Sequence, residues 1–195
     1  MKSATILRSP AAAARVLAVV LAALFLTGLL AGCGSLPPLK HVLLSPPQTE
    51  RLAARPSNWE VRRVQMPEYL DSYDIQLRTD DYVLTRLPDA KWAERLPVAV
   101  TRLLQQTIDE KLQTRRDKHY EVDVDISTFE PQPSGNVVLS AAWRVVDAAG
   151  DTVARNHSLI KQPLPPAPGR SAGDIGRAMS IAVRELAMRI VARAG

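Results

Sequence analysis

Chemistry near neutral pH needs titratable or nucleophilic side chains in suitable company, and this chain offers few. Its only histidines are His41, His119 and His157, so these are the only side chains whose unperturbed pKa suits them to act as general bases there. None stands in a recognisable nucleophile or metal motif. Glu121, Asp123 and Asp125 fall on every second residue and so share one face of a strand. That pattern either binds a hard cation or is the solvated face of an antiparallel strand. No glycine-rich phosphate loop occurs. The single cysteine, Cys33, ends Leu30-Ala31-Gly32-Cys33 directly after an apolar run, with a small residue on each side. Neither a buried thiol nor a catalytic one explains that position.

The residues before Cys33 do explain it. Lys2, Arg8 and Arg15 form a positive region without a single acid, and Val16 to Leu30 is an apolar stretch ending in small residues, the three-part layout of a secretory signal. About 15 apolar residues fall short of the roughly 20 that span a bilayer as a helix. With its terminal Leu-Ala-Gly-Cys the segment resembles the lipobox of bacterial lipoproteins, which implies cleavage before Cys33 and three acyl chains on the new N-terminus. A single chain binds a bilayer only marginally, at ~0.8 kcal/mol per buried CH₂, so three anchor the product lastingly. Gly34 and Ser35 take the place of the aspartate that retains enteric-type lipoproteins at the inner membrane, so the resemblance favours the outer membrane. The expected organisation is a signal peptide over 1–32, a lipidated tether over 33–39 and a single domain over 40–195.

Loss of residues 1–32 removes three of the 25 basic residues and none of the 20 acidic ones, so the formal charge falls from +5 to 22 − 20 = +2. No concentrated basic patch remains, which argues against a nucleic-acid partner. The mature chain is of ordinary length for one domain with a real core.

The elements that must position any site follow from periodicity and breakers. His41 to Leu44 reads as a strand ended by Pro46-Pro47, and Trp59 to Met66 as a second strand stopped by Pro67. Ile75 to Leu77 and Tyr82 to Leu87 are weaker strands around a Thr79-Asp80-Asp81 turn. Pro97 suits the first turn of a helix from Leu96 to Gln113, on which Val100, Leu103, Leu104, Ile108 and Leu112 form one apolar stripe. Tyr120 to Phe129, Val137 to Val146 and Thr152 to Lys161 are strands separated by Pro-Ser-Gly-Asn and Asp-Ala-Ala-Gly-Asp turns, an antiparallel meander. On its middle strand, Trp143 shares the core face with Leu139 and Ala141. The proline-rich 163–168 crosses the surface. A last helix begins at a Ser171-Ala172-Gly173-Asp174 capping box and buries Ile175, Met179, Ala182, Leu186 and Ile190. Arg170, Arg177 and Arg184 share one side of it, either a contact for lipid headgroups or an acidic partner, or an ordinary charged face. The fold class is therefore α+β, a two-layer sandwich of two amphipathic helices on a mostly antiparallel sheet.

Met66-Pro67-Glu68-Tyr69-Leu70-Asp71, Ile75 to Arg78, Trp92-Ala93-Glu94-Arg95-Leu96 and Leu139-Ser140-Ala141-Ala142-Trp143 follow one another along the chain. Together with the lipobox and Val42-Leu43-Leu44, they resemble the PqiC/YmbA-type ABC-transport auxiliary lipoproteins over nearly all of the mature chain. Arg95 stands where many relatives have proline. The resemblance implies an outer-membrane subunit of an MCE-type phospholipid transport system, partnered by an MCE-domain protein and an inner-membrane transporter component. It implies no enzyme activity and no cofactor, and it suggests a homo-oligomeric ring over a lipid-conducting tube. The competing class is a stand-alone envelope-stability lipoprotein or a periplasmic hydrolase.

The residues expected to meet the partner are Tyr69, Leu70 and Asp71, in a loop where binding residues concentrate, and Trp92 and Glu94 at the helix entry. Trp92 is either an exposed anchor or a staple that packs the helix start, and Tyr69-Leu70 stands between the same two readings.

Overall fold

The computed structural model describes residues 38–45, 56–112 and 118–194. Cys33, the signal segment, the tether up to residue 37, Pro46-Pro47 and Gln113 lie outside the described residues. The chain divides into two units, Met1–Pro38 and Leu39–Gly195, and every element below belongs to the second. In chain order these are β1 (Lys40–Val42), β2 (Trp59–Val61), β3 (Asp74–Asp80), β4 (Val83–Trp92), α1 (Leu96–Lys111), β5 (Tyr120–Pro131), β6 (Asn136–Asp147), β7 (Thr152–Pro163) and α2 (Ala172–Ala194).

The α+β class holds, but the strands divide between two sheets, of order β1-β4-β3 and β2-β5-β6-β7. Most pairs are antiparallel. The exceptions are the short early strands: β1 runs parallel to β4 (Val42 opposite Trp92) and β2 parallel to β5 (Trp59 opposite Tyr120), with a further parallel bridge from Gln65 to Asp125. A parallel pair needs a long crossover, and the β2-to-β5 connection supplies it with β3, β4 and α1.

The meander is the scaffold. β5, β6 and β7 pair antiparallel over almost their full length. Gly135 and Gly150 close the two turns at φ +77° and +90°, a left-handed region costly for residues with a Cβ. Val122, Val124 and Ile126 point inward on β5, opposite Val145, Trp143 and Ala141 on β6. Buried Trp143 satisfies its ring by donating Nε1–H to Ser158 Oγ at 3.0 Å. Both helices bury the stripes their periodicity predicts, from Val100 to Ile108 on α1 and from Ile175 to Ile190 on α2.

Local contacts fix the helices in place. Asp174 N–H donates to Ser171 Oγ at 3.1 Å while Ser171 N–H and Oγ–H donate to Asp174 Oδ2 at 3.0 and 2.7 Å, a reciprocal cap. These bonds hold the Asp174 carboxyl below its ordinary pKa, with the Ser171 backbone N–H the largest cause. Arg184 pairs with Glu110 at 3.0 Å with both side chains nearly buried, joining α2 to α1 and drawing Arg184 away from any basic outer side. α2 also passes so close to β1 that a Cβ on Gly176 would lie 2.5 Å from Val42 Cγ1. Beside it, Ser45 N–H donates to Ser180 Oγ at 3.1 Å. Among the described residues no helix is long and apolar enough to cross a membrane.

Candidate functional site

The loop after Met66 and the turn after Trp92 meet at one corner of the three-stranded sheet. Pro67 to Asp71 curls into a turn closed by Leu70 N–H to Pro67 O at 2.9 Å and Asp71 N–H to Glu68 O at 3.1 Å. The chain then runs beside the end of β4, where Trp92 N–H donates to Tyr73 O at 2.7 Å and Leu96 N–H to Ser72 O at 3.3 Å. Arg95, the cap residue of α1, provides no side-chain cap. Its guanidinium instead reaches Asp71 Oδ2 at 2.6 Å, with Arg63 at 3.7 Å from the same oxygen. Arg95 thus supplies an ion pair that ties the two blocks together.

The five expected contact residues do not share one fate. Leu70 is 1% exposed and Trp92 2%, so both side chains belong to the core and neither offers a surface to a partner. Tyr69 is half-buried and packs against that core. Asp71 and Glu94 remain accessible, Glu94 being paired with Arg102 at 2.5 Å. Tyr73 is exposed. The surface of this corner is therefore made by Asp71, Tyr73, Glu94 and Arg95, with the two large apolar side chains holding it from behind. Among the described residues Asp71 Oδ1 and Trp92 Nε1, one from each block, are buried without a hydrogen-bond partner.

Tyr69 leads to a residue that the sequence does not flag. Its hydroxyl donates to Glu130 Oε2 at 3.3 Å, and Glu130, at 0% exposed, also accepts from Arg78 Nε at 2.9 Å, Gln132 Nε2 at 3.0 Å and the Phe129 backbone N–H at 3.0 Å. A carboxylate out of water needs such partners. Burial, followed by the charge of Glu130, raises the Tyr69 pKa, and the hydrogen bond to Glu130 raises that of Arg78. Arg78 lies on β3 and Glu130 on β5, so this cluster is a polar joint between the two sheets.

The outward face of the four-stranded sheet holds the remaining candidates. Glu121 pairs with Arg62, and Asp123 with Arg144 at 2.8 Å and Arg62 at 3.6 Å. The three alternating acids thus sit on an ion-paired, solvated face. Among the described residues no group of three His, Cys, Asp or Glu converges as a metal site would require. An open groove of about 780 Å³ crosses the face, with Ala142 beneath Arg62, Asp123, Arg144 and Arg155. Beyond it, Ser140 Oγ lies 3.0 Å from His157 Nε2 and 3.0 Å from Ser127 Oγ. Ser140 and His157 are diagonal neighbours across two strands, a relation legible only once the register is known. The third member of that chain is a serine and not an acid that would orient the imidazole.

Comparison with known proteins adds the family. The model of the ABC-type transport auxiliary lipoprotein component family matches residues 41–191. No curated protein sequence matches this chain significantly. Among solved structures, an uncharacterized protein superposes with a TM-score of 0.64 at 15% identity, covering 80% of this chain and 97% of its own. A Xanthomonas campestris protein of family DUF330 gives a TM-score of 0.59 at 14% identity, covering 80% of this chain and 90% of its own. At such identities these likenesses speak to the fold.

Proposed function

From the premise that this chain belongs to the ABC-type transport auxiliary lipoprotein component family, we propose that it is the outer-membrane, non-catalytic docking subunit of an MCE-type phospholipid transport system. On this reading Cys33 carries the acyl anchor and the folded unit receives the periplasm-spanning MCE assembly, which in turn meets an inner-membrane transporter component. The subunit acts as a homo-oligomer, in a ring. The observation that carries the reading is the family match, which runs from β1 to the last turn of α2.

The corner of Asp71, Tyr73, Glu94 and Arg95 supports a docking role, because rigid elements present charged and aromatic side chains there from two loops at once. The test is co-purification from detergent-solubilised envelopes. The full-length protein should bring down the MCE-domain protein and the inner-membrane component. Tyr73→Ala, which removes an exposed ring that takes no part in the ion pairs of the corner, should reduce that recovery about tenfold while the melting temperature holds, as loss of an interface hot spot does. Cys33→Ala should shift the protein from the outer membrane to the soluble periplasm. A protein that brings down neither partner, and that hydrolyses lipid esters until Ser140 or His157 is replaced, would overturn the reading in favour of a hydrolase.

A further inference from the structure

We propose that the tip of the β3–β4 hairpin of one copy docks on the outward face of β7 of a second copy. This contact would join successive copies of the ring proposed above.

The hairpin is an arm. β1 covers β4 only at Ala90–Trp92, and Pro88, just before that stretch, has no N–H to offer a neighbouring strand. Leu77 and Leu87 pack partly against the core at the base of the arm, and from Thr79 to Arg86 no residue is buried, so both faces of its outer part are accessible. At the tip Tyr82 is 94% exposed and Val83 48%. Beside them Asp80 and Asp81 have no ion pair among the described residues; Asp80 Oδ1 accepts only the Tyr82 backbone N–H, at 3.3 Å. Two strands alone are marginal in water, and an aromatic placed beyond the core on such an arm gains its burial from elsewhere.

β7 carries the complement. It is the long edge strand of the four-stranded sheet, 12 residues with no acid among them. Its outward face presents Arg155, His157, Leu159 and Lys161, with Leu159 51% exposed. Arg155 lies directly opposite Arg144, a like-charge pairing that destabilises a sheet. Asp123 neutralises Arg144, while Arg155 and Lys161 have no ion pair among the described residues. One copy thus holds an uncompensated acidic, aromatic tip and an uncompensated basic strip with an apolar centre. A second copy is the partner that carries both halves in equal number.

The two surfaces belong to different elements. The arm joins it at β5 through Arg78 and Glu130, and β6 separates β5 from β7. Contact between unlike surfaces is heterologous, so it propagates from copy to copy and closes into a ring if the rotation allows.

Cross-linking in the membrane tests this with the full lipoprotein, whose only native cysteine is Cys33. Tyr82→Cys with Leu159→Cys in one chain should give, under mild oxidation, a ladder extending beyond the dimer. Each single variant should stay uncross-linked alone, and the two co-expressed should give dimers. Independently, Asp80→Lys with Asp81→Lys, or Arg155→Glu with Lys161→Glu, should weaken self-association at least tenfold by sedimentation, and both sets in one chain should restore it. Absence of the ladder with transport partners still co-purifying would sink the contact and leave the function standing. Self-cross-linking of Leu159→Cys alone, or self-association indifferent to both charge sets, would also overturn it.

Discussion

Arg78 Nε–H donates to Glu130 Oε1 at 2.9 Å, and through this bond the three-stranded sheet grips the four-stranded one. Glu130 is wholly buried while Arg78 keeps partial contact with water, so the pair is strongly asymmetric. Removing the cation strands a carboxylate that cannot hydrate, which in buried pairs costs roughly 3–5 kcal/mol, whereas neutralising both partners costs much less.

Arg78→Ala should therefore lower stability more than Arg78→Ala combined with Glu130→Gln. Chemical denaturation of the single and double variants measures the difference. A double variant as unstable as the single one would show that the charge of Glu130 is not what Arg78 compensates.

Trp92 and Tyr69 should separate from the accessible residues of their blocks. Trp92→Ala empties a fully enclosed site and should cost about 3–5 kcal/mol. Tyr69→Phe keeps the ring and removes one donor to Glu130, worth about 1–2 kcal/mol. Unfolding curves decide the first point; a Trp92→Ala protein that melts like the parent would return Trp92 to the surface.

Gly176→Ala inverts an ordinary expectation. In a helix interior alanine is favoured over glycine by about 1 kcal/mol. Here the new methyl would meet Val42 Cγ1 at 2.5 Å, a clash that overpacking data put at about 1–3 kcal/mol. The variant should lose stability, and Val42→Ala in the same chain should recover part of it, both read from thermal melts.

The Ser171–Asp174 cap gives a pH dependence with a definite sign. The folded state depresses the Asp174 pKa. Its stabilising contribution is complete above the unfolded value, about 3.9, and disappears as pH falls through the lower folded value. Melting temperatures of the parent and of Asp174→Ala should differ at neutral pH and converge at strongly acid pH.

Much of the fold is legible in the chain because its signals are local. The β5–β7 meander alternates apolar and polar residues with glycine at its turns, and each helix repeats its apolar stripe through several turns. The division into two sheets is not legible, since β1 and β2 are three residues each and a parallel partner is chosen across long separations. β4 was expected to end at Leu87. It continues past Pro88, which the shift in register between Gln76 and Asp74 accommodates. The site was legible in part. The two aromatic-containing blocks do meet, yet nothing local distinguishes a tryptophan that packs from one that protrudes. Glu130 escaped because the bulge between Ile126 and Thr128 resets the alternation of β5, and because a neighbouring sheet covers the strand there.

The seat of β1 has a mechanical side. Its three residues follow directly on the segment leading from Cys33, lie parallel to the end of β4, and continue into Ala93 N–H to Val42 O at 2.9 Å. Tension on the leading chain would load these bonds together, in shear and not one after another as in unzipping. The tight fit of Val42 beneath Gly176 adds a steric stop from α2, near the other end of the sequence. If Cys33 carries the proposed acyl anchor, a pull from the bilayer would thus be shared between the first strand and the last helix before it could reach the meander.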